Sequence, residues 1–121
     1  MVINWVTIKV DNYEKSKEFY RDFLGMKPDQ EFSPNESMTI AFFEADNGMK
    51  IELIHDKNLK LEFPLNNGIS IGICPINYDE ILQKSQEKNI ITSGPLVLGG
   101  SKECFFVNDP NGVGIQIIKG K

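Results

Sequence analysis

The chain has 121 residues, 40% of them hydrophobic and 25% charged, with a formal net charge of −4. That length can close a core without disulfide or metal staples and is most simply one domain, and the composition is ordinary for a globular protein. The negative balance argues against nucleic acid and anionic membrane surfaces as partners, and no run approaches the roughly 18 apolar residues that span a bilayer.

The opening, MVINWVTIKV, lacks the basic segment and long apolar run of a signal peptide, so a cytoplasmic location is expected. INWVTIKV predicts a first strand. NYEKSKEFYRDFLG follows with helical spacing: Tyr13, Ser16, Phe19, Tyr20, Phe23 and Leu24 recur three and four residues apart, and Gly25 supplies a stop. KPDQEFS, MTIAFFEA and MKIELIH predict three more strands, with turn chemistry in SPNES at 33–37. Residues 57–67 have no counterpart at the end of the chain and read as a linker. The order then repeats. GISIGIC is a strand, YDEILQKSQEKN a helix, and strands follow near ITSGPLVL, ECFFVN and GVGIQII. Cys74 and Cys104 lie in apolar strand-like runs without CxxC spacing, which reads as two free buried thiols.

The repetition extends to wording. NGMKIELI at 47–54 and NGVGIQII at 111–118 agree at four of eight positions and set Glu52 against Gln116. NYE at 12–14 returns as NYD at 77–79, and FFEADNG at 42–48 returns as FFVNDPNG at 105–112 with one inserted residue. An α+β chain of two βαβββ modules is predicted, module one over about 1–56 and module two over about 68–121. A unit of roughly 50 residues leaves one sheet face bare, and pairing two units would bury it.

Strand alternation separates two kinds of face. Val6, Ile8 and Val10, Ile51 and Leu53, Ile69, Ile71 and Ile73, and Val113, Ile115 and Ile117 make an aliphatic face suited to lie under helices. The other face carries Trp5, Thr7 and Glu52 in module one, and Ser70, Gly72, Gly114 and Gln116 in module two. Small and polar groups suit the wall of a concave site better than a close-packed core. The pairs Phe42–Phe43 and Phe105–Phe106 each predict one ring in the core and one on the polar face or at an interface.

The run WVTIKVDNYEKSKEFYRDFLGMKP, the strand KIELI and the ending FFVNDPNGVGIQII resemble the vicinal oxygen chelate superfamily over essentially the whole chain. That group includes glyoxalase I, bleomycin-resistance proteins, fosfomycin-resistance transferases, methylmalonyl-CoA epimerase and extradiol dioxygenases. The resemblance implies paired βαβββ modules forming a curled mixed sheet around a cup, often in a homodimer. In metal-using members, a His from the first strand and a Glu from the last strand of each module reach into the cup. At those positions this chain carries Trp5 and Glu52, then Ser70 and Gln116, so only Glu52 keeps the pattern.

Coordination chemistry gives those departures weight. Divalent zinc, nickel and iron want imidazole, thiolate or carboxylate donors, whereas indole only donates a hydrogen bond. The lone histidine, His55, falls on the opposite side of its strand from Glu52 and reads as a surface or structural residue. The implied function is a metal-free, cofactor-free small-molecule binder of the bleomycin-resistance type, holding an antibiotic or metabolite. Trp5 would stack on the guest or make a cation–π contact, Glu52 would take a cationic or donor group, and Ser70 and Gln116 would orient it. Thr7, Gly72 and Gly114 would keep space open.

Other readings stay open on the same residues. Trp5 could plug the site as core, and Glu52 could be satisfied by Lys9, Lys50 or Gln116. The chain could be a glyoxalase-like metal-dependent lyase or isomerase, or an acid/base enzyme in which Glu52 is catalytic, set among Ile51, Leu53 and Ile54. It could also be an interaction scaffold. PLVLGGSKE at 95–103 suits a mobile loop, DPNG at 109–112 is a turn, and KSKEFYR is an exposed helix face.

Overall fold

Each repeat folds as a unit of its own, Met1–Phe63 and Pro64–Lys121, seen over residues 1–61, 68–98 and 102–120 in a computed structural model. Of the predicted linker 57–67, residues 62–67 lie outside the described residues, as do 99–101 of the segment read as a mobile loop.

The first unit runs β1 (Trp5–Lys9), α1 (Tyr13–Lys17) continuing as a π-helical stretch Glu18–Phe23, β2 (Lys27–Phe32), β3 (Met38–Glu44) and β4 (Lys50–Asp56). The second runs β5 (Ser70–Ile73), α2 (Tyr78–Glu87), β6 (Ile91–Leu98), β7 (Lys102–Asn108) and β8 (Gly114–Ile118). The strand orders are β1-β4-β3-β2 and β5-β8-β7-β6. In each sheet the first and last strands pair in parallel and the remaining neighbours are antiparallel. The predicted pair of βαβββ modules with mixed sheets is therefore the fold. The single curled sheet is not: the described strands form two separate sheets of four. Pro28 in β2 and Pro95 in β6 each remove a ladder donor, and both strands carry a register shift. Strands so interrupted serve as edges and do not template a neighbour.

Helix entry and exit follow local chemistry. Asn12 Oδ1 accepts from the Lys15 N–H at 3.0 Å, capping α1, and the Ser16 hydroxyl donates to the Asn12 carbonyl at 2.8 Å. Gly25 leaves the helix at φ +76. The predicted continuous helix differs in its second half, where the Leu24 N–H reaches back five residues to Phe19 at 2.9 Å. That wider winding accompanies a stack of Phe19 on Phe23, centroids 5.2 Å apart, within a run of large buried side chains. In the second module Asn77 is not a side-chain cap. It donates to Glu80 at 3.1 Å, and Asn89, at φ 55, takes the exit that glycine takes in the first.

The apolar faces are closed as alternation predicts. Ile8, Val10, Phe43 and Leu53 are at most 3% exposed, as are Phe105, Val107, Ile115 and Ile117. Ile69, assigned to that face from sequence, precedes β5 and is 56% exposed. The expected pair of buried thiols also divides: Cys104 is buried, but Cys74 is exposed, just past the end of edge strand β5.

Each helix start is tied to its own sheet by a phenol. Tyr13 donates to Glu31 of β2 at 2.5 Å, and Lys17 pairs with the same carboxylate at 2.9 Å. Tyr78 donates to Glu103 of β7 at 2.7 Å and packs edge-on against Phe105. Burial, followed by the neighbouring Glu31, pushes the Tyr13 phenol well above its usual range. The Tyr13 and then the Lys17 hydrogen bonds hold Glu31 below its ordinary 4.5.

Two consequences are measurable. A group whose pKa is lower folded than unfolded contributes stability above its unfolded value and loses it as pH falls through the folded one. Glu31→Gln should therefore cost less than about 1 kcal/mol at neutral pH, because the carboxylate is half exposed and screened. It should also flatten the acid limb of urea midpoints between about pH 5 and 2. Gly94 sits at φ +92, and a Cβ there would lie 2.9 Å from the Cys104 carbonyl oxygen. Gly94→Ala should cost about 2 kcal/mol or more in urea unfolding.

Candidate functional site

The polar face of the first module is assembled by register. Parallel pairing sets Trp5 opposite Lys50, Thr7 opposite Glu52 and Lys9 opposite Ile54, while β3 brings Phe42 against the other flank of Glu52. Because side chains alternate along a strand, Trp5, Thr7, Phe42 and Glu52 share one face. The Thr7 hydroxyl donates to Glu52 Oε1 at 2.6 Å. Trp5 meets Phe42 edge to face, centroids 5.6 Å apart and planes at 86°, the geometry that aromatic quadrupoles favour. Trp5 stays 48% exposed, so within its own module it is a surface ring and not core.

The partner of Glu52 is therefore not among those weighed from sequence. Lys50 pairs instead with Asp29 at 2.8 Å, at the register shift between Pro28 and Gln30. Thr7 has committed its proton to Oε1, and Glu52 Oε2 has no protein donor among the described residues. What the pair offers outward is acceptor capacity.

The second module places Ser70 opposite Gly114 and Gly72 opposite Gln116, with Phe106 against the other flank of Gln116. Register thus makes Trp5 equivalent to Ser70, Thr7 to Gly72, Glu52 to Gln116 and Phe42 to Phe106. The duplicated aromatic pairs align one residue out of step with their wording, and no inserted residue is needed. With glycine opposite it, Gln116 has no hydroxyl to accept, and its amide lies 3.6 Å from the buried Cys104 sulfur. The rings divide as expected: Phe43 and Phe105 are buried, while Phe42 and Phe106 are half-buried on the polar faces.

These residues do not fit a catalytic metal. Trp5 has no lone pair to give, Ser70 and Gln116 are neutral oxygen donors, and one oxygen of Glu52 already accepts from Thr7. No group of three or more His, Cys, Asp and Glu among the described residues could hold an ion. His55 faces away from Glu52, its ring 6.1 Å from that of Tyr13. Sequence alternation alone could have found the Thr7–Glu52 pair once β1 was laid parallel to β4. The Lys50–Asp29 pair depends on a bulge that no residue pattern announces.

Comparison with known proteins agrees with the duplicated fold. A family model described as the glyoxalase/bleomycin resistance protein/dioxygenase superfamily matches residues 2–117. A lactoylglutathione lyase of Haemophilus influenzae is 28% identical over 130 residues, covering 100% of this chain and 94% of that protein. A lactoylglutathione lyase of Neisseria meningitidis is 29% identical over 124 residues, covering 94% of this chain and 87% of that one. The crystal structure of TnmS3, an antibiotic binding protein from Streptomyces, superposes with a TM-score of 0.70 at 17% identity, covering 100% of this chain and 97% of that one. With its duplicated βαβββ modules and a family match over nearly its full length, the chain belongs to the glyoxalase/bleomycin resistance protein/dioxygenase superfamily.

Proposed function

We propose that this chain binds a small organic molecule on the polar faces of its sheets, holds no tight metal, and leaves the guest unaltered. The observation that carries this reading is the half-exposed Trp5 ring standing against Phe42 beside the Thr7–Glu52 pair. An aromatic plate next to acceptor oxygens suits a guest with a flat or cationic portion and a hydrogen-bond donor. The antibiotic binding protein from Streptomyces lends support as a bearer of the same fold. In the second module, Ser70 and Gln116 supply orienting polar groups, and Gly72 and Gly114 keep that face low.

A lyase or isomerase is the rival reading, favoured by the Haemophilus and Neisseria relatives. Glu52 would then be the residue that moves a proton. The donor set weighs against the metal-dependent form of that chemistry, because neither Trp5 nor Ser70 replaces an imidazole.

Trp5 is the sole tryptophan, so intrinsic fluorescence reports directly on this face. Cationic antibiotics and small metabolites that raise the melting temperature should also shift or quench that emission. Glu52→Gln should weaken a cationic guest roughly tenfold or more. Trp5→Ala should abolish most thermal stabilisation, and an unchanged response in that variant would sink the aromatic-plate reading. Untagged protein should carry far less than one equivalent of zinc, nickel or iron by elemental analysis. Adding those ions should produce no turnover of lactoylglutathione. Stoichiometric metal with turnover would establish the rival.

A further inference from the structure

The open face of the first sheet changes character along its length. Register lays its side chains in rows: Trp5 with Lys50 and Glu44, then Thr7 with Glu52 and Phe42, then Lys9 with Ile54 and Ile40. Asp56 and Met38 form the next row. An aromatic ring thus stands at one end, acceptor oxygens in the middle and aliphatic groups at the far end. Aliphatic side chains on the face turned away from the helix need a cover of their own, and the turn after β4 supplies it. Asp56 accepts from the Asn58 N–H through Oδ1 at 2.9 Å and from the Leu59 N–H through its carbonyl at 3.0 Å. The Lys57 N–H ties the turn to the Ser37 carbonyl at 3.0 Å.

That cover is incomplete. Ile40 is buried beneath it, but Leu59 stays 45% exposed. A cavity of about 120 Å³ remains, walled by Met38, Ile54, Leu59 and Leu61, with Lys9 and Asp56 also in its lining. Because Ile54 follows Glu52 on the same face of β4, the cavity continues the Trp5 site and is not a second one. Two strand residues advance roughly 7 Å, and an extended hydrocarbon chain of about six carbons, with bond lengths close to those of the backbone, covers the same ground. An apolar void of roughly 150 Å³ admits benzene, so this one takes a chain end of about four carbons.

We infer that the guest of the Trp5 face is an amphipathic cation: a flat ring, a central ammonium and an alkyl chain of roughly six to eight carbons whose end fills this cavity. The inference rests on the binding function proposed above and adds the third part of the guest. The ring lies against Trp5, the ammonium beside Glu52, and the chain runs over Ile54 to Met38 and Leu59. A guest without the chain leaves the aliphatic end of the face unused.

The test uses the full chain and a series of benzyl-dimethyl-alkylammonium ions whose alkyl group is methyl, butyl, hexyl or octyl. Binding is read by calorimetry and by the emission of Trp5, the sole tryptophan. Each methylene that reaches the cavity can tighten binding up to about fourfold, so the octyl compound should bind at least tenfold more tightly than the methyl compound. The methyl NMR signals of Ile54 and Leu59 should move with the octyl compound and not with the methyl one. Ile54→Phe, which fills the cavity, should bring the octyl-to-methyl affinity ratio close to one. Leu59→Ala, which removes an exposed wall residue at little risk to the fold, should lower that ratio about threefold or more. If no member of the series binds or alters Trp5 emission, the proposed function fails and this inference with it. If the series binds and alters that emission while the ratio stays below about threefold, or if both folded variants keep the parent ratio, this inference alone is overturned.

Discussion

The parallel pairing of the first and last strands in each module is the constraint on which the rest depends. A parallel ladder cannot be closed by a tight turn, so the chain between β1 and β4 must travel, and that path holds the helix and the β2–β3 hairpin. Once β1 lies beside β4, the side-chain period of two decides everything on both faces. Ile8 and Leu53 go to the helix side together, and Thr7 and Glu52 go to the open side together. A slip of one residue would put Glu52 in the core and Leu53 in solvent. The hydrophobic face therefore holds the polar face in register.

The same constraint explains how two equivalent strands came to carry different chemistry. Glu52 and Gln116 occupy equivalent places, each flanked by a phenylalanine on one side. The difference lies across the parallel ladder, where Thr7 stands in one module and Gly72 in the other. A carboxylate wants a donor and finds the Thr7 hydroxyl. Opposite glycine no donor exists, and the amide, which brings its own protons, comes to rest beside a thiol. The pairs Thr7–Glu52 and Gly72–Gln116 thus occupy equivalent register positions with different hydrogen-bond partners.

Much of this was legible in residue order. Every predicted strand and both helices are present within a residue or two, because period-two and period-3.6 spacing and Gly25 at an exit are local signals. The resemblance likewise led to the right superfamily. Features that depend on a second strand were less accessible. The π-helical winding between Phe19 and Leu24 reflects how large rings stack, which spacing alone does not encode. Cys74 looked buried from its apolar neighbours but stands past the end of an edge strand. The aromatic pairs matched by spelling turned out to be matched one residue apart by register.

By itself, the sequence determined that the chain is two βαβββ repeats and which face of each strand is apolar. Those are properties of neighbours in the chain and of residue chemistry. Only the tertiary structure decided which groups meet across strands: Thr7 with Glu52, Asp29 with Lys50, and Trp5 with Phe42. Such meetings depend on register, bulges and the path of a turn. These arise when apolar burial selects one pairing among many, and no single segment carries that choice.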